Sequence, residues 1–304
     1  MNLHDLNIFT TVSRLGSITK SAKALSTVQS NVTTRIRLLE EDLGAKLFHR
    51  RHHGVQLTRK GRDLLPYAQQ IIALVENARE AVSDDREVHG VLRIGSLQTT
   101  ASARLPELLK QYIAKYNQVD IAVETGTTAE LHEKVLACEI DGAFIAGPVD
   151  HPQLRAVPAF NEELVMLTPS NYRSVDEYLS KGPIPKVLVA KVGCSYRQQL
   201  ERYLSSEGIA QLHEMEFGTI DGIIGCVGAG LGIAMLPKSA VESSSRGKEV
   251  TLHRLPGKIG LVETLFITRR TQVRTNALER LIGVITASRS ERPPRRAKQR
   301  NTRK

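Results

Sequence analysis

The chain has 304 residues, 41% of them hydrophobic and 4% aromatic, long enough for two or three compact domains with their own cores. Met1-Asn2-Leu3-His4-Asp5 has neither the basic start nor the apolar stretch of a secretory leader, and the longest weakly polar run, Gly222 to Leu236, has 15 residues and five glycines, short of the roughly 20 that span a bilayer. Of the net charge of +10, residues 1–88 carry 13 Lys/Arg against 10 Asp/Glu, residues 89–288 carry 21 of each, and residues 289–304 carry 8 against 1. A cytoplasmic protein without a membrane partner is expected. Basic ends around a neutral centre suit nucleic-acid binding at the ends and another task between them.

Leu3, Leu6, Phe9 and Val12 recur at helical spacing after Asn2, a candidate N-cap, and Gly16 ends the run. Ser17 can cap a short second helix with Ala22 and Leu25 on its apolar side, and Ser26-Thr27-Val28 breaks the chain. A third helix is predicted from Gln29 to Leu43, packed by the stripe Val32, Ile36, Leu39 and Leu43 and stopped by Gly44. Ser30, Thr34 and Arg37 point away from that stripe, with Asn31 and Thr33 flanking. Such side chains carry the donors and acceptors that read base edges in a major groove. A solvated face of an ordinary helical bundle would look the same.

From Leu47 to Thr58 apolar and basic residues alternate around Gly54, as in a hairpin with Arg50, Arg51, His52 and His53 at its tip. That is a wing suited to phosphates or a minor groove. His49, His52 and His53 are a poor metal set, since neighbours on a hairpin tip diverge and no Cys or acidic partner is adjacent. Ser17-Ile18-Thr19-Lys20-Ser21-Ala22-Lys23-Ala24-Leu25, Gln29, the run Leu39 to Arg50 and the run Gly54 to Gly61 together resemble the LysR-type transcription regulator signature. The resemblance continues more loosely to about residue 288. It implies that Gln29, Ser30, Asn31, Thr33 and Thr34 meet DNA bases. The family usually places Ser before this Gln and Pro or a small residue after it. Here these are Val28 and Ser30, which leaves Thr27 as the candidate helix cap.

Thr58 can cap the next helix, in which Leu64, Ala68, Ile71, Val75, Ala78 and Val82 repeat at spacings of 4, 3, 4, 3 and 4. This is the a/d seam of a short coiled coil and predicts a homodimer, or a homotetramer built from dimers, on two-fold DNA sites. Packing on its own domain is the alternative. Pro66 falls inside this helix, and Asp84 to Gly90 reads as a hinge.

From residue 91 strands and helices alternate. Val91–Gly95, Val119–Val123 and Ala143–Ala146 read as strands, with helices marked by Leu105 to Tyr116 and by Leu131 with Val135. A second set comprises Leu164–Thr168, Val187–Ala190, a helix from Tyr196 to Leu204, Met215–Phe217, a helix through Ile220 to Val227, and a glycine-rich run from Gly228 into a strand ending at Pro237. The repetition predicts parallel sheet with right-handed crossovers. These glycines come late and precede a strand, the reverse of a dinucleotide fingerprint. They resemble instead the LysR sensing domain, which has the two-lobed α/β fold of type II periplasmic solute-binding proteins. That likeness places lobe crossings near Asn161 and Thr268 and an effector between the lobes. The expected division is a winged helix-turn-helix at 1–60, a linker helix and hinge at 58–88, and a sensing domain at 89–288. Within the last, 91–161 and 268–288 form one lobe and 162–267 the other. A disordered basic tail follows at 289–304.

Ser96, Thr99, Thr100, Thr127, Ser195 and Thr219 lie in loops between strand ends and helix starts. Hydroxyls and free N–H groups at such places favour a small anionic effector, although each hydroxyl is also a plausible helix cap. Arg197 can pair with a ligand carboxylate or with Glu201 one turn on. The three separated cysteines, Cys138, Cys194 and Cys226, form no C-x-x-C pair and read as reduced thiols, with Cys194 and Cys226 a less favoured redox couple. No catalytic set or cofactor motif stands out. The expectation is therefore a regulator of double-stranded DNA without cofactor or metal, the alternative being a solute-binding protein or an enzyme on the same two-lobed fold.

Overall fold

The computed structural model describes residues 1–51, 54–82, 88–181, 184–209, 211–257 and 259–290. Three helices, α1 (Leu3–Leu15), α2 (Ile18–Ala24) and α3 (Gln29–Asp42), precede a hairpin of β1 (Phe48–Arg51) and β2 (Gly54–Leu57). Local chemistry sets their ends. The Asn2 side chain accepts from the Asp5 amide at 2.9 Å, Ser17 Oγ accepts from Lys20, and Gly16 turns the chain at φ +60°. Leu6, Phe9, Val12, Val32, Ile36 and Leu39 close one small core with Leu47 and Phe48. Leu43, expected in the α3 stripe, is instead the helix's C-cap and is exposed.

α4 (Arg59–Val82) follows, its first turn capped by Thr58 Oγ1, which accepts from the Gly61 amide at 3.0 Å. Leu65, Ala68 and Ile72 pack into the core of the first three helices. The expected seam is therefore split: Ala68 is buried, whereas Tyr67, Ile71, Leu74, Ala78 and Val82 form the exposed stripe. The expected hinge lies outside the described residues except at its end, 88–90, where Gly90 opens the next strand.

The remaining chain runs β3 (Gly90–Ser96), α5 (Gln98–Ala103), α6 (Leu105–Ile113), β4 (Val119–Thr125), α7 (Thr128–Leu136), β5 (Gly142–Ala146) and β6 (Leu154–Pro169). Then come α8 (Val175–Leu179), β7 (Lys186–Val189), α9 (Ser195–Ser206), β8 (His213–Glu216), α10 (Ile220–Gly228), β9 (Ala234–Pro237) and α11 (Lys238–Ser243). The last elements are β10 (Val250–Arg254), β11 (Leu261–Arg269) and α12 (Asn276–Ser290). The sheet is parallel only in part. β3 pairs in parallel with β4 and β5, and β7 with β8, but β6 and β11 are antiparallel to each other over nine register pairs. β6 is longer than the predicted Leu164–Thr168. Its first half pairs with β11, and from Leu164 it pairs with β9 and β10, so one strand passes through both lobes near Asn161. The second crossing falls where β11 begins, at Leu261 opposite Glu163, and Thr268, expected there, pairs with Arg155 deep in the first lobe.

One core joins Leu92, Ile94, Phe144, Phe266, Leu278 and Leu281, a second joins Val165, Leu167, Leu188, Ile224 and Val227, and a third lies between them. Where the lobes meet, Glu162 takes a bidentate pair from Arg104 at 2.8 and 3.0 Å and a hydrogen bond from Ser239 at 2.6 Å. α12 extends to Ser290, so Arg289 belongs to this helix rather than to the tail and reaches Glu263 at 2.7 Å. The rest of the predicted tail lies outside the described residues. Among the described residues no helix is long and apolar enough to cross a membrane.

Candidate functional site: a nucleic-acid face and an interlobe cavity

α3 packs by Val32, Ile36 and Leu39, which leaves Gln29, Ser30, Thr34 and Arg37 exposed and Asn31 and Thr33 half-buried. Ser30, Thr34 and Arg37 therefore share the outward side of the helix, Asn31 and Thr33 flank it, and Gln29, in line with the packed stripe, is exposed at the helix start. Val28 occupies the N-cap without a side-chain bond. Thr27 does not cap: its Oγ1 accepts from Asn31 Nδ2 at 3.0 Å. The first amides of α3 thus keep no side-chain acceptor from the cap, a helix end suited to a phosphate oxygen. Arg37 lies 3.3 Å from Glu41, an exposed pair that a phosphate or base can displace at little cost.

The wing is fastened to α3 by one buried carboxylate. Glu40 accepts from the Leu47 amide at 2.8 Å, the Phe48 amide at 3.3 Å and Lys46 Nζ at 2.8 Å. Burial opposes its ionisation, but the Lys46 and amide bonds prevail and hold the carboxyl below its ordinary range. Its stabilisation is present above the ordinary glutamate pKa and disappears as pH falls through the depressed folded value. Glu40→Ala leaves two amides unsatisfied and should cost on the order of 2–4 kcal/mol. Acid unfolding monitored by circular dichroism checks this, since the variant must lose part of the stability increment between acid and neutral pH. At the wing's turn, Gly54 has φ +131°, and an added Cβ would lie 2.4 Å from the Gly16 carbonyl. Only glycine fits there. Arg50 and Arg51 belong to β1 by backbone pairing, but their side chains, with His52 and His53, lie outside the described residues.

In the two-lobed domain a cavity of about 170 Å³ opens between the lobes. Thr99, Thr127 and Thr219 line it, together with Gln98, Lys191 and Tyr196. Ser96, Thr100 and Ser195 do not. Ser96 is buried and its hydroxyl donates to the Leu97 carbonyl at 3.1 Å, Thr100 is buried, and Ser195 Oγ donates to Thr128 Oγ1 at 3.0 Å. Thr127 Oγ1 accepts from the Glu130 amide and Thr219 Oγ1 from the Gly222 amide, so both hydroxyls act as caps. The Thr127 hydroxyl also meets the carboxylate of Glu130, which lines the cavity as well. Arg197 is not available to a ligand, because Glu201, Glu214 and Glu216 surround it and raise its pKa. The cation at the cavity is Lys191, one residue beyond the strand run read from sequence, and its missed signal was its place at a strand's carboxyl end. Apolar walls from Leu188, Leu200, Phe217 and Met235 complete the site.

Burial pushes the Cys194 thiol up, away from the thiolate that oxidation requires. Cys226 packs with a different core from Cys194, so the redox couple expected at lower weight gains no geometric support. Among the described residues no group of three His, Cys, Asp or Glu could hold a metal ion.

A helix-turn-helix with a wing, joined by a long helix to a two-lobed domain with a cavity between its lobes, defines a ligand-responsive transcription regulator. The chain belongs to the LysR family. Residues 3–62 match the model of the bacterial regulatory helix-turn-helix protein, lysR family, and residues 85–289 match that of the LysR substrate binding domain. Among curated relatives, the HTH-type transcriptional regulator YusT of Bacillus subtilis is 42% identical over 286 residues, covering 94% of this chain and 96% of its own. GltR of the same organism is 40% identical over 278 residues, covering 91% and 94%. A full-length OxyR variant from Pseudomonas aeruginosa has a similar fold, with TM-score 0.74, 22% identity and 94% of each chain covered. Full-length CbnR complexed with its target DNA gives TM-score 0.60 and 21% identity over 95% of this chain and 100% of its own. These relatives are regulators of transcription, not enzymes.

Proposed function

We propose that this regulator reads a two-fold interrupted palindrome in the cytoplasm as a homodimer, or as a tetramer of paired dimers, and that a small anionic effector adjusts its grip. The outward side of α3 carries the proposal: Ser30, Thr34 and Arg37 stand on the side of the helix that its own core leaves free, with Asn31 and Thr33 flanking and Gln29 exposed at its start. Arg50 and Arg51 are assigned to phosphates. The exposed stripe Tyr67, Ile71, Leu74, Ala78 and Val82 of α4 supplies the dimer seam. Thr34→Ala and Ser30→Ala should relax base preference by about 1–3 kcal/mol at the affected position. Arg50→Ala and Arg51→Ala should weaken all sequences alike and lower the salt slope by about 0.9 for each phosphate no longer neutralised. Binding titrations on matched and mismatched duplexes at several salt concentrations separate the two groups. Equal loss of specificity from both would reverse the assignment of helix and wing.

In the cavity, Lys191 and the lining residues Thr99, Thr127 and Thr219 favour an anionic head, and the Phe217 and Leu188 side a short apolar body. A thermal-shift screen of small carboxylates and phosphates tests this reading. Lys191→Ala should weaken any hit at least tenfold, whereas Thr100→Val and Ser195→Ala, outside the cavity, should weaken it much less.

A further inference from the structure

Beneath the DNA-binding helices lies a second cavity that shares no lining residue with the first. It measures about 310 Å³ and is bounded by α1, α4, β3, the α7–β5 turn and the end of β11. Two of its sides are tied together. Gln69 of α4 donates to the Cys138 carbonyl at 2.5 Å and accepts from Arg269 Nη2 at 3.1 Å, while Arg269 Nη1 donates to the Val135 carbonyl at 2.9 Å. Cys138 itself packs with the core of the DNA-binding helices. Arg14, from the last turn of α1, and Arg93, from β3, both line this space.

Glu76, Glu139 and Asp141 line the same space, yet among the described residues no salt bridge joins either guanidinium to one of them. Partial burial and the neighbouring Arg93 both push Arg14 below its ordinary range. Asp141 lines the same space, but its Oδ2 accepts from the Arg93 backbone amide at 2.8 Å. Burial also pushes the Asp141 carboxyl up, which weakens it as a counter-ion. Gln272 adds a buried Oε1 without a hydrogen-bond donor. Three arginines and three carboxylates thus line the cavity, and two of the cations, Arg14 and Arg93, neighbour each other from different domains beside an acceptor that lacks a partner.

We propose that this cavity is a second ligand site, which takes a small carboxylate or phosphate anion that also carries a hydrogen-bond donor. Arg14 would hold it from the DNA-binding side and Arg93 from the sensing side, with its donor on Gln272 Oε1. An anion there neutralises the mutual repulsion of two neighbouring cations and ties the domains in this arrangement. It shifts the population toward this arrangement only by as much as it prefers it. The proposal is independent of the interlobe effector.

The test is calorimetric titration of the full-length protein with inorganic phosphate and with citrate, chloride balancing the ionic strength. One saturable site per chain is expected, weakened at least tenfold by Arg14→Ala and likewise by Arg93→Ala, and retained in Lys191→Ala. Arg14→Gln and Arg93→Gln, which keep most of the side-chain length, replace the alanine variants if circular dichroism shows misfolding. Absence of saturable binding by both anions overturns the proposal. So does binding that survives both arginine substitutions, or that Lys191→Ala removes, since the anion would then sit between the lobes.

Discussion

Leu74→Asp will yield monomers that hold DNA at least a hundredfold more weakly than the parent. α4 has two apolar sides, and only one is used within the chain. Leu65, Ala68 and Ile72 face the DNA-binding core, while Tyr67, Leu74 and Val82 are 64%, 60% and 86% exposed. The exposed positions recur at coiled-coil spacing, so a second copy would bury them as a seam. Burying a leucine stabilises by roughly 1.5–3 kcal/mol per side chain, and a carboxylate in its place must be desolvated without a partner. Two linked half-site contacts exceed one by about 10²–10⁴ in affinity, which sets the size of the loss. Sedimentation and duplex titration measure both effects. A Leu74→Asp protein that remains dimeric would remove α4 from the interface, and Leu74→Met, which keeps the apolar contact, should behave as the parent.

Glu162→Ala should destabilise the sensing domain by about 3–5 kcal/mol, because it leaves the Arg104 cation largely buried without its counter-charge. Glu162 is 3% exposed and receives three hydrogen bonds, two from Arg104 and one from Ser239 of α11. The pair raises the Arg104 pKa chiefly through the side-chain bond, against burial. Removing both charges should cost less than removing one, so Arg104→Ala with Glu162→Ala should recover part of the loss. Denaturant melts of the single and double variants measure the coupling. Additive losses would mean that the two groups act separately. Because Ser239 approaches from the second lobe, the same substitution should also loosen the lobes and weaken any interlobe ligand.

The DNA-binding helices were legible because their signals are local. Asn2 and Ser17 cap within three residues, Gly16 and Gly54 adopt positive φ, and the stripe of α3 follows directly from helical periodicity. The long strands were not. The first half of β6 holds Pro158, Glu162 and Glu163, outside the predicted strand Leu164–Thr168, yet it is ordered by β11, a partner about a hundred residues away. The six hydroxyl residues expected at an effector divide for a similar reason. Strand and loop positions placed all six hydroxyls near the cleft, but which of them face it depends on where each side chain finds its hydrogen bond. Ser195 finds Thr128, 67 residues earlier in the chain, and is removed from the site.

The kind of protein is written in the chain's local patterns: a winged helix-turn-helix, an amphipathic linker and a two-lobed α/β domain. Caps, glycines and hydrophobic periods act over a few residues and can be read without partners. Which side of α4 is free emerges from packing, because periodicity marks apolar faces and does not say which neighbour covers them. Packing alone surrounded Arg197 with Glu214 and Glu216 from β8, left Lys191 as the cleft cation, and set Arg14 and Arg93 on one cavity from opposite ends of a domain boundary. Charges act through space over several ångströms, and the distances between them are fixed by packing rather than by order along the chain.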